Sequence, residues 1–271
     1  MGSFITLTTD FGLNDSYVAA MKGVIYSINP EATIVDISHN IRPQNILEAA
    51  FVLGTAFKFF PLYSVNVVVV DPGVGTDRRG IILKTPRAYF VAPDNGVLSY
   101  ILEAYSHQAV PDSQRVKPGP DLKAYAITKS EYWIQPVSPT FHGRDIFAPV
   151  AARLSLGMTA ASLGENIDTV TSLPLPRPSL QEGQIIGHIL HVDNFGNLIT
   201  DVKAENLSGK EQSVTIVISG SVIRGLARTY ATGSGPRAIF GSSGYLEIAL
   251  ANGSAAAFFP VKIGDEIIIK Y

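Results

Sequence analysis

Between Phe4 and Val70 the chain alternates twice between short β-branched runs and longer helical stretches, and no other feature restricts its fold as strongly. Phe4-Ile-Thr-Leu-Thr-Thr9 reads as a strand that Asp10-Phe-Gly12 breaks, and Asp15 is placed to cap a helix over Ser16–Ile28 that Asn29-Pro30 stops. The cycle repeats, with Thr33-Ile-Val-Asp-Ile37 as strand, Pro43 opening a helix over Gln44–Phe60 and Pro61 closing it. Val65-Asn-Val-Val-Val-Val70 then supplies a third, buried strand. A strand–helix–strand–helix–strand series predicts a mostly parallel sheet with helices on both faces.

Gly80-Ile-Ile-Leu-Lys84 and Tyr89-Phe-Val-Ala92 read as further strands, Asp94-Asn-Gly96 as a turn, and Ser99–Ala104 as a helix. From about Ser106 to Ser138 the chain is polar and rich in Pro and Lys. That stretch predicts a surface excursion around a strand or two, with Trp133 as an anchor. Asp145 is placed to cap a helix reaching Leu154, and Thr159–Leu163 supplies a short one. Three prolines in Leu173-Pro-Leu-Pro-Arg-Pro-Ser179 then suit neither a helix nor a central strand.

Beyond the prolines the texture changes to alternating runs at Ile185–Val192, Leu198–Val202, Val214–Ile218, Tyr245–Leu250 and Glu266–Lys270. These predict an antiparallel β domain, a barrel or a sandwich. The expected organisation is an N-terminal α/β domain over 1–172, a Pro-rich linker over 173–183 and a C-terminal β domain over 184–271. No fixed-period repeat points to a solenoid or a propeller.

Composition narrows the function. With 46% hydrophobic residues, 16% charged residues and a net charge of −2, the 271-residue chain lacks the basic surplus that gripping nucleic acid or an anionic membrane by bulk electrostatics requires. The expected partner is a small molecule. No cysteine is present, which removes disulfides, thiolate metal sites and cysteine nucleophiles. The N-terminal residues show no basic region followed by a long apolar stretch, and no apolar run approaches a membrane span. A cytoplasmic protein is expected.

Two segments carry most of the chemistry. Asp71-Pro-Gly-Val-Gly-Thr-Asp-Arg-Arg79 follows the buried strand, so Asp71 emerges at the sheet's carboxyl edge, where open α/β sheets bind ligands. It lacks Gly-Lys-Ser/Thr and precedes a strand rather than a helix, which argues against a nucleoside-triphosphate loop. Two readings remain: a tight turn with solvated arginines, or an acid and Arg78 facing each other across a water. Thr140-Phe-His-Gly-Arg-Asp-Ile-Phe-Ala-Pro149 sets His142 before a helix N-terminus, whose dipole favours a neutral ring able to handle a proton near pH 7. Arg144 and Asp145 beside it form either a capping cluster or part of a site. His39, His107, His188 and His191 have no comparable context.

Asp10 ends the first strand, either as a turn residue or as an acceptor for ribose hydroxyls. Asp193-Asn-Phe-Gly-Asn197 is either a plain hairpin turn or an aromatic face and amide for a purine. Asp10, Asp71, His39 and His142 are metal-ligating types, but no His-x-x-x-His or Asp-x-Asp pair sets a spacing, so no metal is expected.

Thr8-Thr-Asp-Phe-Gly12, Asp71-Pro-Gly-Val-Gly75 with Arg78, Ala92-Pro-Asp-Asn-Gly96, Thr140–Phe147, Asp193–Asn197 and Ser242-Ser-Gly-Tyr-Leu-Glu-Ile248 together resemble the S-adenosyl-L-methionine hydroxide adenosyltransferases, adenosine-forming hydrolases related to fluorinase and chlorinase. Six motifs in order along nearly the whole chain make the likeness specific. It implies an α/β domain joined to a β-barrel-like domain, and a homotrimer with each active site between the N-terminal domain of one subunit and the C-terminal domain of the next. It implies a water-orienting triad of Asp71, Arg78 and His142, with Asp10 on the ribose diol. By the same likeness Phe195, Asn197 and Tyr230 surround the adenine, and Asp193, Ser242 and Ser243 meet the methionine amino and carboxylate groups. Glu247 and Asn252 fall near the ligand without an assigned role.

Halogenating relatives carry Tyr where Asp71 stands, Tyr-Ser at His142-Gly143 and Arg at Ser243. The implied reaction is substitution by water at the ribose C5′ carbon of S-adenosylmethionine, giving adenosine and L-methionine with no cofactor. The alternatives are halide transfer, which an ionised Asp71 disfavours, and a binding protein that retains the pocket without turnover. Which group removes the proton from water stays open at this level.

Overall fold

A computed structural model describes residues 4–106, 114–231 and 235–271, with Gln212 described for its backbone only. His107 lies outside this set. The chain divides into two compact units, Met1–Leu175 and Pro176–Tyr271.

In the first unit β1 (Phe4–Thr9), β2 (Thr33–Ser38), β3 (Ser64–Val69), β4 (Gly80–Lys84) and β5 (Ala88–Pro93) are joined by α1 (Tyr17–Ile28), α2 (Ile46–Ala56) and later α3 (Ser99–Ala104). Among the described residues the two-residue strands β6 (Arg115–Val116) and β9 (Val170–Thr171) pair only with each other, and β7 (Lys123–Ile127) and β8 (Gly164–Ile167) extend the main sheet. Its order is β2-β1-β3-β5-β4-β7-β8. The β2-β1-β3-β5 half is parallel, and β4, β7 and β8 add antiparallel strands.

Every residue of β3 is buried because the strand is covered from both sides. Val65, Val67 and Val69 join a core with Met21 and Ile25 of α1 and with Val150 and Leu154 of α4 (Ala148–Ser155). Val68 and Val70 face the opposite core, with Leu53 of α2 and Ile101 of α3. A short α5 (Ala160–Leu163) carries Thr159 as its cap, the hydroxyl accepting the Ser162 N–H.

Several local expectations are corrected. Ser16, not Asp15, holds the cap position of α1, and no side chain bonds there. The second helix spans Ile46–Ala56 rather than Gln44–Phe60: Gln44 has φ of +64°, outside helical space, and Asn45 caps the helix by accepting the Glu48 N–H. Residues 57–59 form a separate 3₁₀ turn. Asp145 caps nothing, since Gly143–Phe147 is a π turn continuous with α4. Within the stretch expected as a surface excursion around a strand or two, β7 is an interior strand between β4 and β8.

The second unit contains β10 (Ser179–Gln181), β11 (Gln184–Val192), β12 (Leu198–Lys203), β13 (Thr215–Ile218), β14 (Ser221–Arg224), β15 (Pro236–Phe240), β16 (Tyr245–Leu250) and β17 (Glu266–Lys270), with a short α6 (Ala255–Phe258). β10 falls inside the stretch expected to be linker and pairs with β11. The antiparallel order is β14-β13-β17-β11-β12-β16-β15, and a bridge between Leu226 and Ala238 nearly closes it into a barrel. The long β11 serves both halves, pairing with β17 through Gln184–His188 and with β12 through Ile189, His191 and Val192, with a bulge after Ile189. Ile185, Ile189, Leu198, Ile216, Leu246, Ile248 and Ile267 fill the interior. Each such fully buried aliphatic side chain contributes roughly 1.5–3 kcal/mol.

Candidate active site

β1 and β3 run parallel with Thr9 opposite Val69, so Asp10 and Asp71 leave the sheet at the same carboxyl edge. From there residues 71–78 loop out and return as β4. Gly75 takes φ of +79°, and a Cβ on it would lie 2.4 Å from the Pro139 carbonyl oxygen. Only glycine permits that approach, which seats this loop against the segment leading to His142.

There the three expected groups meet. Arg78 Nε donates to Asp71 Oδ1 at 2.9 Å, and Nη2 donates to Asp71 Oδ2 and, at 2.8 Å, to His142 Nδ1. The Asp71 side chain is 4% exposed and that of Arg78 12%. The guanidinium carbon also lies 5.3 Å from the centre of the Phe147 ring, so the planar cation is held by bonds at its edge and an aromatic face below.

Arg78 has only donors, so the contact fixes the imidazole: Nδ1 is unprotonated and accepts, and the proton of the neutral ring sits on Nε2. The His142 pKa is held below its ordinary value first by burial and then by the Arg78 charge, while Asp71 and Asp145 pull the other way. A neutral ring is what the residue's placement before Gly143–Phe147 predicts, and burial and the guanidinium both favour it.

The rest of the Thr140–Pro149 motif is scaffolding. Asp145 is fully buried, accepts from Arg144 Nε at 2.6 Å and Nη2 at 2.9 Å, and accepts the Ser138 N–H at 2.8 Å, closing the loop before His142. Phe141 packs edge-on against Phe11 and Tyr17. At the first strand's end, Asp10 Oδ2 accepts the Gln44 N–H at 2.8 Å. His39 is buried at the same edge, with Nδ1 2.8 Å from Thr9 Oγ1 and its carbonyl accepting the Gly12 N–H. Among the described residues no group of three or more His, Cys, Asp or Glu is placed to hold a metal ion.

The remaining expected residues meet in the second unit. A cavity of about 750 Å³ is lined by Asp193, Phe195, Asn197, Tyr230, Ser242, Ser243 and, beyond the residues given roles, Glu247. Its size suits a nucleoside-scale ligand. Asp193 organises the hairpin between β11 and β12, with Oδ1 accepting the N–H groups of Phe195 and Asn197 and Oδ2 accepting Asn197 Nδ2 at 2.8 Å. Gly196, at φ of +82°, completes that turn against Ser254. Phe195 is thereby projected to 78% exposure, an aromatic face at the rim.

Glu247 is buried at 5% exposure and accepts the Tyr230 hydroxyl at 2.6 Å. Burial pushes its carboxyl up, with Asp193 adding to the effect. The Tyr230 hydroxyl is pushed up to about 12, by burial and then by Glu247. The signal for Glu247 was present, an acid inside the apolar run Leu246-Glu247-Ile248.

An α/β unit with an acid–guanidinium–imidazole cluster at its strand ends, followed by a barrel unit with an aromatic-rimmed cavity, defines a distinct class of two-unit proteins. This chain belongs to the SAM hydroxide adenosyltransferase family: residues 5–164 match the family's N-terminal domain and residues 187–268 its C-terminal domain. It is similar to the (R)-S-adenosyl-L-methionine hydrolase of Thermus thermophilus, 36% identical over 94% of this chain and 95% of that protein. The enzyme of the same name from Methanocaldococcus jannaschii is 34% identical over 98% of this chain and 95% of the relative. A crystal structure of an uncharacterized conserved protein from Thermotoga maritima superposes with a TM-score of 0.88 at 36% identity, covering 98% of this chain and all of that one.

Proposed function

We propose that this protein hydrolyses S-adenosyl-L-methionine to adenosine and L-methionine, with Asp71, Arg78 and His142 orienting the attacking water. The observation that carries the reading is the Arg78 bridge from the Asp71 carboxylate to His142 Nδ1. It supports complementary roles. With its proton on Nε2, His142 donates a hydrogen bond to the water oxygen, and Asp71 is the one proton acceptor among the three. Water held by one donor and one acceptor keeps a lone pair for attack.

The C5′–O bond forms as the C5′–S bond breaks, the electron pair passing to sulfur so that methionine leaves as a neutral thioether. The water proton passes to Asp71 and then to solvent. Holding the nucleophile in line accounts for roughly 7–11 kcal/mol in the best intramolecular cases, and a positioned base adds about 10²–10⁴-fold. Pairing with Arg78 neutralises the Asp71 charge, so discrimination against halide rests on geometry: a halide ion accepts hydrogen bonds but cannot satisfy the Asp71 acceptor.

The cavity residues take the roles their chemistry suits. Phe195 stacks on the adenine, Asn197 and Tyr230 border it, Asp193, Ser242 and Ser243 meet the methionine end, and Asp10 accepts from the ribose diol. No metal or redox cofactor enters the scheme. The working assembly is a homotrimer in which one subunit's triad serves the cavity of its neighbour. At a substrate concentration far below the weakened KM of a Phe195→Ala protein, refolding it together with an Asp71→Ala protein then raises turnover above that of either alone through mixed trimers, and no rise rules out shared sites.

Product analysis in ¹⁸O-labelled water, with and without chloride, tests the reaction itself. Labelled oxygen at C5′ of adenosine is expected. A chlorodeoxyadenosine product, or no adenosine at all, overturns the assignment.

A further inference from the structure

Residues 71–78 leave the sheet from β3 and re-enter it as β4, and in the sheet those two strands are separated by β5 alone. β5 is parallel to β3 and antiparallel to β4, with Gly80 opposite Pro93. The turn that follows β5 therefore lies between the departing and returning ends of the loop. It bonds both. Asn95 Nδ2 donates to the Val70 carbonyl at 2.9 Å, and the Asp94 N–H donates to the Arg79 carbonyl at 2.9 Å.

Each bond falls one residue from a triad member, Val70 before Asp71 and Arg79 after Arg78. The Asp94 side chain, 1% exposed, reinforces the returning end: Oδ2 accepts Arg79 Nε at 3.1 Å and Nη2 at 2.5 Å, and also Arg115 Nη1 at 2.9 Å. Oδ1 accepts the Thr171 N–H at 2.6 Å. Asn95 Oδ1 accepts the Val97 N–H at 3.1 Å, so the amide is oriented by one bond and clamps with the other.

We propose that the Asp94-Asn95 turn is a clip that holds the two ends of the triad loop at fixed separation, making both side chains positioning residues for the hydrolysis proposed above, on which this inference rests. A loop pinned at Val70 and Arg79 leaves Asp71 and Arg78 little freedom except to face each other. Releasing either end lets the guanidinium drift from His142 Nδ1.

The test is Asn95→Asp, which keeps the size and the acceptor for Val97 but removes the donor to Val70 and sets a carboxylate oxygen against that carbonyl. The expected result in the folded full-length protein is kcat at least tenfold lower with KM within threefold of wild type. In the uncharged Asn95→Ser protein, which lacks the donor to Val70 and adds no carboxylate, the His142 imidazole titrated by NMR also shifts upward toward an ordinary histidine. Arg78, Asp71 and Asp145 are the charges that bear on that ring, and loss of the Arg78 contact is the change the clip predicts.

Should Asn95→Asp fail to fold, Asn95→Ser serves, since its hydroxyl caps the turn but falls short of Val70. A kcat within twofold of wild type together with an unmoved His142 titration, or an equal rise in KM and fall in kcat, overturns the clip. If the wild-type protein forms no adenosine, the hydrolase reading fails separately, and the His142 titration still decides the clip.

Discussion

Asp71 and Arg78 are almost enclosed, at 4% and 12% side-chain exposure, and Arg78 bonds both Asp71 and His142. The cavity of the second unit is built the other way, with Phe195 at 78% and Tyr230 at 48% exposure around open volume. The first arrangement fixes directions, as a group that must aim a small nucleophile requires. The second offers surface, as recognition of a large, mostly planar ligand requires. Substitutions in the two regions should therefore separate turnover from affinity.

The largest effect is expected at the triad. His142→Ala removes the donor proposed to aim the water, and kcat should fall by about 10²–10⁴-fold with KM changed far less. A loss confined to KM would put His142 in ligand binding instead. The wild-type pH profile carries the same signature. Burial and Arg78 place the folded pKa of His142 below its ordinary value of about 6.5, so turnover should persist as pH falls through that value and then drop as Nδ1 takes a proton against Arg78. In the window below about 6.5 the unfolded chain binds the proton first, so stability falls with pH there, and His142→Ala should flatten that slope.

A smaller effect, on the other observable, is expected in the cavity. Phe195→Ala removes the exposed ring, and stacking of a base on an aromatic side chain is worth roughly 1–3 kcal/mol. Adenosine affinity should weaken by about 5- to 150-fold, measured by calorimetry, with kcat at saturation within a few-fold of wild type. An unchanged affinity would move the base elsewhere in the cavity.

The same contrast describes what the sequence reveals. The Val65–Val70 run and the Asp71-Pro-Gly-Val-Gly75 turn are local signals, and the sheet edge they define is where the structure gathers Asp71, Arg78 and His142. What escapes local reading depends on distant partners. Lys123–Ile127 becomes an interior strand only because β4 and β8 flank it. Local reading makes Asp145 the cap of an ordinary helix reaching Leu154, whereas the π turn carries Asp145 inward and sets Phe147 beneath Arg78. Strands β14 and β15 lie in runs too short to stand out, and they form by pairing with β13 and β16. The Asp94-Asn95 turn is legible as a turn, but its hold on Val70 and Arg79 follows from sheet order alone.

The smallest effect, and the sharpest probe of the cavity floor, is expected from Glu247→Gln. Burial raises the Glu247 carboxyl above its usual range, so between about pH 4.5 and the folded value the native state holds the extra proton. Stability contributed by this group is thus present at low pH and lost as pH rises through that window. Glutamine of the same shape still accepts the Tyr230 hydroxyl through its carbonyl and carries no charge to desolvate. The variant should match wild type below about pH 4.5 and melt higher near neutrality, by roughly 2–4 °C, the scale that about 1 kcal/mol sets for chains of this size. The Tyr230 hydroxyl, freed of the neighbouring carboxylate, should titrate below its wild-type value of about 12. A variant that melts lower than wild type at neutral pH would mean that the ionised carboxylate is stabilised in place, and that the floor of the cavity prefers its negative charge.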